Sequence, residues 1–173
     1  FIARAVCDAI AEFPNINASI EGDNLIIHHR VNLGIAVDLG ADGLIAPVLK
    51  DAHTKTLREI AREISTLAGK ARSGGLTPDD LTEGTYTLSN SGPFGTLITA
   101  PIINQPQVAI LSTDGVRKKP VVIESPQGDS IAIRPVGVLA QSFDHRAIDG
   151  AYSGSFLNRL REIIETRDWA AEI

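Results

Sequence analysis

Phe143-Asp144-His145-Arg146-Ala147-Ile148-Asp149-Gly150 is the stretch whose reading decides the fold. It lies between an apolar segment ending near Gln141 and an amphipathic segment starting near Tyr152. A β-rich run followed at once by a helical pattern makes it a strand-to-helix connection, where a rigid scaffold can present reactive groups. His145 stands between an aspartate and an arginine. Histidine is the side chain whose unperturbed pKa lies nearest neutrality, so His145 is the candidate general base. Asp149 is placed to cap the following helix, and in doing so to brace the loop. His-x-x-x-Asp spacing alone also fits a hydrogen-bonded structural histidine, so the rest of the chain has to choose.

A chain of 173 residues, 43% hydrophobic and 21% charged, fits one globular domain with a real core. The net charge of −5 argues against a nucleic-acid partner, because phosphate contacts need clustered cations. The one basic run, Arg117-Lys118-Lys119, reads as a solvated strand end or as an anion contact to a phosphate-bearing cofactor. A single cysteine, Cys7, allows no disulfide within the chain and points to a reducing compartment: the cytoplasm, or the mitochondrial matrix in a eukaryote. Its place beside an apolar helical stripe suits a core residue better than a nucleophile. No run approaches 18 consecutive apolar residues, so no membrane partner is expected.

Moving back along the chain, Ile2, Val6, Ala9, Ile10 and Phe13 recur at helical spacing and predict a helix over 1–13, ended by Pro14. Short strands are expected at Ala18–Ile20, Leu25–His29, Leu33–Asp38 and Leu44–Leu49. Thr56-Leu57-Arg58-Glu59 is a capping box opening a helix that Gly74-Gly75 stops. Thr77-Pro78-Asp79-Asp80 repeats the cap for a single helical turn. Further strands are expected at Thr85–Ser89, Gln107–Ser112, Val121–Glu124 and Ser130–Ala140, and a last helix from about Gly150 to Thr166. The order predicts an α/β two-layer sandwich with a mixed β-sheet.

Several chemistries fit poorly. His28 and His29 are adjacent, so on a strand they face opposite ways, and no metal site is expected. Ser91-Gly92-Pro93-Phe94-Gly95 lacks the Lys-Ser/Thr of a phosphate loop. Ser153-Gly154-Ser155 lacks the spacing of a nucleophile elbow. What remains is a histidine base, a nearby carboxylate and the turn from Ser89 to Gly92, which by itself reads first as a plain polar turn and whose hydroxyls and backbone N–H groups also suit an oxyanion.

Asp144-His145-Arg146-Ala147-Ile148-Asp149-Gly150 resembles the DHRxxDG signature of the dihydrolipoyl acyltransferases, core subunits of 2-oxo acid dehydrogenase complexes related in fold to chloramphenicol acetyltransferase. The resemblance extends, in the family's order, through Asn32–Asp38, Gly43–Val48, Gly84–Asn90 and Pro101–Pro106, and so covers nearly the whole chain. It implies that His145 deprotonates coenzyme A, that Ser89 hydrogen-bonds the oxyanion, and that Asp149 supports the His145 loop. It also implies that Asn90, Gly92 and Leu111 lie near the substrates.

Coenzyme A would be a substrate, and the lipoyl group would come from a domain not in this chain. The implied partners are two further copies forming a homotrimer, with His145 and Ser89 supplied by different chains. Trimers would build a 24- or 60-subunit core that works with 2-oxo acid decarboxylase and dihydrolipoyl dehydrogenase components. Residues 1–173 would be the catalytic domain short of an N-terminal, arginine-containing part, without lipoyl or peripheral-subunit-binding domains. Gly92–Leu97 followed by Pro101–Asn104 looks most like the succinyl-transferring branch, with acetyl or branched-chain acyl transfer, or a mainly structural core subunit, as the alternatives.

Overall fold

The computed structural model describes residues 1–173. Three helices carry most of the helical pattern: α1 (Ile2–Glu12), α2 (Leu57–Arg72) and α3 (Gly150–Thr166). α2 starts where its cap dictates. The Glu59 N–H donates to Thr56 Oγ1 (3.3 Å) while the Glu59 carboxylate accepts from the Thr56 N–H (2.8 Å). A second capping box on Thr77 opens the single 3₁₀ turn Pro78–Leu81.

Eleven strands follow in chain order: β1 (Ala18–Glu21), β2 (Asn24–Ile27), β3 (Leu33–Ile35), β4 (Val37–Asp38), β5 (Leu44–Ile45), β6 (Val48–Leu49), β7 (Tyr86–Asn90), β8 (Ala109–Thr113), β9 (Arg117–Ile123), β10 (Ser130–Val136) and β11 (Leu139–Phe143). The main sheet has the order β11-β8-β7-β3-β6. Its central strands β8, β7 and β3 run parallel, and β11 and β6 are antiparallel to their neighbours. The sheet is therefore mixed, and the helices form the second layer. Phe156 of α3 lies edge-on to Tyr86 of β7 and to Phe13 after α1, with ring centroids 6.1 Å apart in both pairs. Cys7 sits in the same core, and burial pushes its thiol up to about 12.

Three predicted strands are broken. Leu33–Asp38 divides into β3, in the main sheet, and β4, which pairs with β5 in a separate ribbon. Leu44–Leu49 divides at Ala46-Pro47, where proline has no N–H to give a ladder; its carbonyl instead accepts from the Ile35 N–H at 2.8 Å. Ser130–Ala140 divides at Gly137-Val138, with β10 in a hairpin and β11 in the main sheet. The strand expected over Leu25–His29 stops at Ile27, so the histidines lie beyond it, His28 with its ring 3.0 Å from Ser19 Oγ.

The β9–β10 hairpin stands apart from this core. Its register pairs Lys118 with Pro135, Pro120 with Ile133 and Val122 with Ile131, so these six residues share one face. That face is almost wholly apolar yet solvent-facing, with Ile131 79% and Ile133 67% exposed. Arg117, Lys119 and Arg134 share the other face, and Arg117 donates to the Gly95 carbonyl.

Candidate active site

The His145 loop is fixed from both sides. On the sheet side, the Asp144 N–H donates to the Val108 carbonyl (2.7 Å) as the chain leaves β11. On the helix side, Asp149 caps α3, its carboxylate accepting from the Tyr152 N–H at 2.8 Å. Between them the Asp144 carbonyl accepts from the Ala147 and Ile148 N–H groups, and Ile148 is buried as an anchor. Gln141 adds a brace between layers: it accepts from the Tyr86 hydroxyl (2.7 Å) and donates to Ser153 Oγ (2.8 Å).

These contacts leave His145 exposed at the tip, its ring tilted against Phe143 with centroids 5.4 Å apart. Asp144 is not its partner. The Arg146 guanidinium holds that carboxylate by two nitrogens, Nε at 3.0 Å and Nη2 at 2.6 Å, and keeps it below the usual carboxylate range. Asp149 is committed to the helix cap, so it holds the loop through the backbone.

Ser89 is half-buried near the end of β7. An apolar cleft of about 350 Å³, lined by Ile2, Ile35, Ile60 and Leu88 among others, opens beside Ser89 and Asn90. Ser89 pairs in register with Ser112 of β8, whereas Phe143, two residues before His145, pairs with Ala109. Because β11 runs antiparallel to β8, His145 projects past one end of β8 while Ser89 lies near the other. At about 3.3 Å per residue the two are separated by roughly 15 Å along the strand. A single chain does not bring them together.

The turn after Ser89 is held in a way the sequence did not announce. Its N–H groups are not free for an oxyanion: Ser91 donates to the Thr113 carbonyl (2.9 Å) and Gly92 to Asn90 Oδ1 (3.0 Å). Asn90 thus supports the turn, and a Cβ on Gly92 would stand 3.2 Å from the Asp114 carbonyl oxygen, which favours glycine there. Leu111, which the resemblance implies lies near the substrates, is fully buried among core residues of this chain, in register with Leu88. Asp114, only 4% exposed, was missed. Its carboxylate accepts from Thr96 Oγ1 (2.6 Å), Thr99 Oγ1 (2.7 Å) and the Thr99 N–H (3.1 Å), tying down the loop that leaves Ser89.

Comparison with known proteins gives this geometry a family. The model of the 2-oxoacid dehydrogenases acyltransferase (catalytic domain) matches residues 1–170. The succinyltransferase component of the 2-oxoglutarate dehydrogenase complex of Haemophilus influenzae is 41% identical over 95% of this chain and 39% of its own length. The lipoamide acyltransferase component of the branched-chain alpha-keto acid dehydrogenase complex of Bacillus subtilis is 42% identical over 97% of this chain and 39% of its own. The chain thus spans about two fifths of the length of these relatives.

Among solved structures, the cubic core of the pyruvate dehydrogenase multienzyme complex has a TM-score of 0.88 at 34% identity, covering 95% of this chain and 67% of that one. The Azotobacter vinelandii dihydrolipoamide acetyltransferase, in a study of a serine, a histidine and an asparagine in its catalytic mechanism, also has a TM-score of 0.88, at 32% identity over the same shares. Chloramphenicol acetyltransferase, at TM-score 0.54 and 14% identity over 95% of this chain and 76% of that one, shares the fold. The chain belongs to the 2-oxoacid dehydrogenase acyltransferase family and carries its catalytic-domain fold.

Proposed function

We propose that this chain transfers an acyl group between a lipoyl arm and coenzyme A, at a site made where two copies meet. The observation that carries the reading is the placement of His145 and Ser89 at opposite ends of β8. A neighbouring copy can supply the residue that one chain leaves about 15 Å away. The apolar face of the β9–β10 hairpin supports contact between copies, since large exposed apolar patches mark interaction surfaces. The cubic core among the structural neighbours supports assembly into a core, which on this reading is built from homotrimers with 24 or 60 subunits in all.

In the forward direction, an imidazole nitrogen of His145 takes the proton of the coenzyme A thiol, a group of ordinary pKa roughly 8.5. The sulfur pair attacks the thioester carbonyl carbon, a new C–S bond forms, and the carbonyl π pair moves to oxygen. Ser89 of the facing copy donates a hydrogen bond to that oxyanion, an interaction worth roughly 3 kcal/mol. Re-forming the carbonyl breaks the bond to the lipoyl sulfur, and the leaving thiolate recovers the proton from His145. No acyl-enzyme forms. The fixed loop, with its ion pair and helix cap, holds the imidazole for this exchange.

For the acyl group we propose succinyl, on the Gly92–Leu97 and Pro101–Asn104 stretches. Relatives of the succinyl and branched-chain kinds stand at nearly equal identity, so an assay has to compare donors. The partners on this reading are the decarboxylase and dihydrolipoyl dehydrogenase components of the same complex, in the cytoplasm or the mitochondrial matrix. The test is acyl-CoA formation by the assembled protein from succinyl-, acetyl- and isobutyryl-dihydrolipoamide. Succinyl preference, with His145→Ala reduced by several orders of magnitude, is expected. Preference for another donor would replace succinyl, and no turnover with any donor would leave a structural core subunit.

A further inference from the structure

We propose that Ser112 is a positioning residue for Ser89, its hydroxyl donating to Ser89 Oγ and so setting the direction in which Ser89 offers its own proton. The proposal deepens the acyl-transfer reading above and rests on it for its kinetic consequence.

Ser112 lies on β8, in register with Ser89 of β7 on one side and Ala140 of β11 on the other. Residues in register project to the same face of a sheet, so both serine hydroxyls leave the face opposite to that of Leu88 and Leu111. Ser112 is 0% exposed, and its hydroxyl has no hydrogen-bond partner. A buried hydroxyl left unpaired carries a desolvation penalty, so its presence in the central strand calls for an account.

The neighbours narrow the choice. Ala140 offers no polar side chain, and Thr87 and Ser142, both in register with Ile110, stand a diagonal step further off, Thr87 with its own proton given to Gln107 Oε1 at 2.7 Å. Ser89 is the register partner, half-buried, one strand spacing away at about 4.8 Å between backbones. A change of staggered well at χ1 in either serine moves the two oxygens relative to each other without moving the backbone.

The chemistry gives the contact a direction. Ser89 must spend its single O–H on the oxyanion, so its oxygen is left with lone pairs and no donor. A donor from Ser112 fixes the Ser89 rotamer and polarises its O–H, since hydrogen bonds in a chain strengthen one another. Ser112 touches neither substrate on this account and acts only through Ser89.

Two measurements test it. In the assembled protein, Ser112→Ala should lower kcat for acyl-CoA formation about tenfold with KM for coenzyme A unchanged. In a Ser89→Ala background the same change should cost less than about twofold. The second readout needs no turnover. In Ser89→Cys the introduced thiol is titrated by alkylation rate against pH, Cys7 being buried with its thiol near 12. Adding Ser112→Ala should raise that thiol pKa by about one unit, because a hydrogen bond to the thiolate is lost.

Wild-type kcat in Ser112→Ala, or a loss undiminished in the Ser89→Ala background, would overturn the proposal. So would an unchanged thiol pKa. A wild-type protein that transfers no acyl group would sink the acyl-transfer reading instead, and the thiol titration would still decide whether the two side chains meet.

Discussion

Replacing Asp114 should loosen the chain that leaves Ser89 while sparing the helix-packed core. Asp114→Ala removes the acceptor for three hydrogen bonds, to both hydroxyls of Thr96 and Thr99 and to the Thr99 N–H. Bonds to a charged acceptor are worth about 1.5–3 kcal/mol each, but the three share one carboxylate and are not additive. Thr96 and Thr99 are only half-buried, so water recovers part of the loss. A net cost of about 3 kcal/mol follows for alanine, and about half of it for Asp114→Asn, which keeps one oxygen. For a chain of this length that is a fall in Tm of about 6–12 °C for alanine.

The pH dependence carries a sign. Burial pushes the Asp114 carboxyl up, but the hydrogen bonds from Thr96 and Thr99 outweigh it and hold the group below the usual carboxylate range. A depressed folded value means the stabilisation is complete above the unfolded value of about 3.9 and is lost as pH falls through the folded one. The Tm gap between wild type and Asp114→Asn should therefore be constant from about pH 5 upward and close below about pH 4. Thermal scans at fixed protein concentration, with limited proteolysis of the 92–103 loop, read both effects. A Tm within about 1 °C of wild type in Asp114→Ala, with no new cleavage in that loop, would refute the clamp.

Three further outcomes follow from the fold. With its thiol pushed up to about 12, Cys7 should resist alkylation at pH 8 in the native protein and react readily once unfolded; rapid native labelling would contradict its burial. Thr56→Ala removes the capping box of α2 and should cost about 1 kcal/mol, read as a Tm lower by about 2–4 °C. Tyr86→Phe leaves Gln141 Oε1 without its donor beneath the His145 loop and should cost about 1–2 kcal/mol; an unchanged denaturation midpoint would mean that this brace carries no strain.

The helices were legible because their spacing and caps are local: Thr56 with Glu59, Thr77 with Asp80, and Asp149 before α3. The strands were legible as β-rich runs but not in their division, because Pro47 and Gly137-Val138 break them where the chain changes sheet, and sheet partners are set at long range. His145 and Asp149 could be read from one motif. The distance from His145 to Ser89 could not, since it depends on the register of three strands. The burial of Leu111 was not legible for a related reason: alternation in a β-run says that faces differ, not which face meets the helices. Asp114 and Ser112 were missed because a polar residue in such a run carries no local sign of being buried.

The central claim is that His145 of one copy works with Ser89 of another. It is tested most directly by co-assembling equal amounts of His145→Ala and Ser89→Ala chains after dissociation and measuring acyl-CoA formation. Each variant alone should be at least about a hundredfold below wild type. If each site takes one residue from each of two neighbouring copies, random mixing leaves about a quarter of the sites with both residues intact. Recovery to about a quarter of wild-type activity is the expected result. No recovery, in mixtures shown to contain both chains in the same assembly, would contradict a site shared between copies.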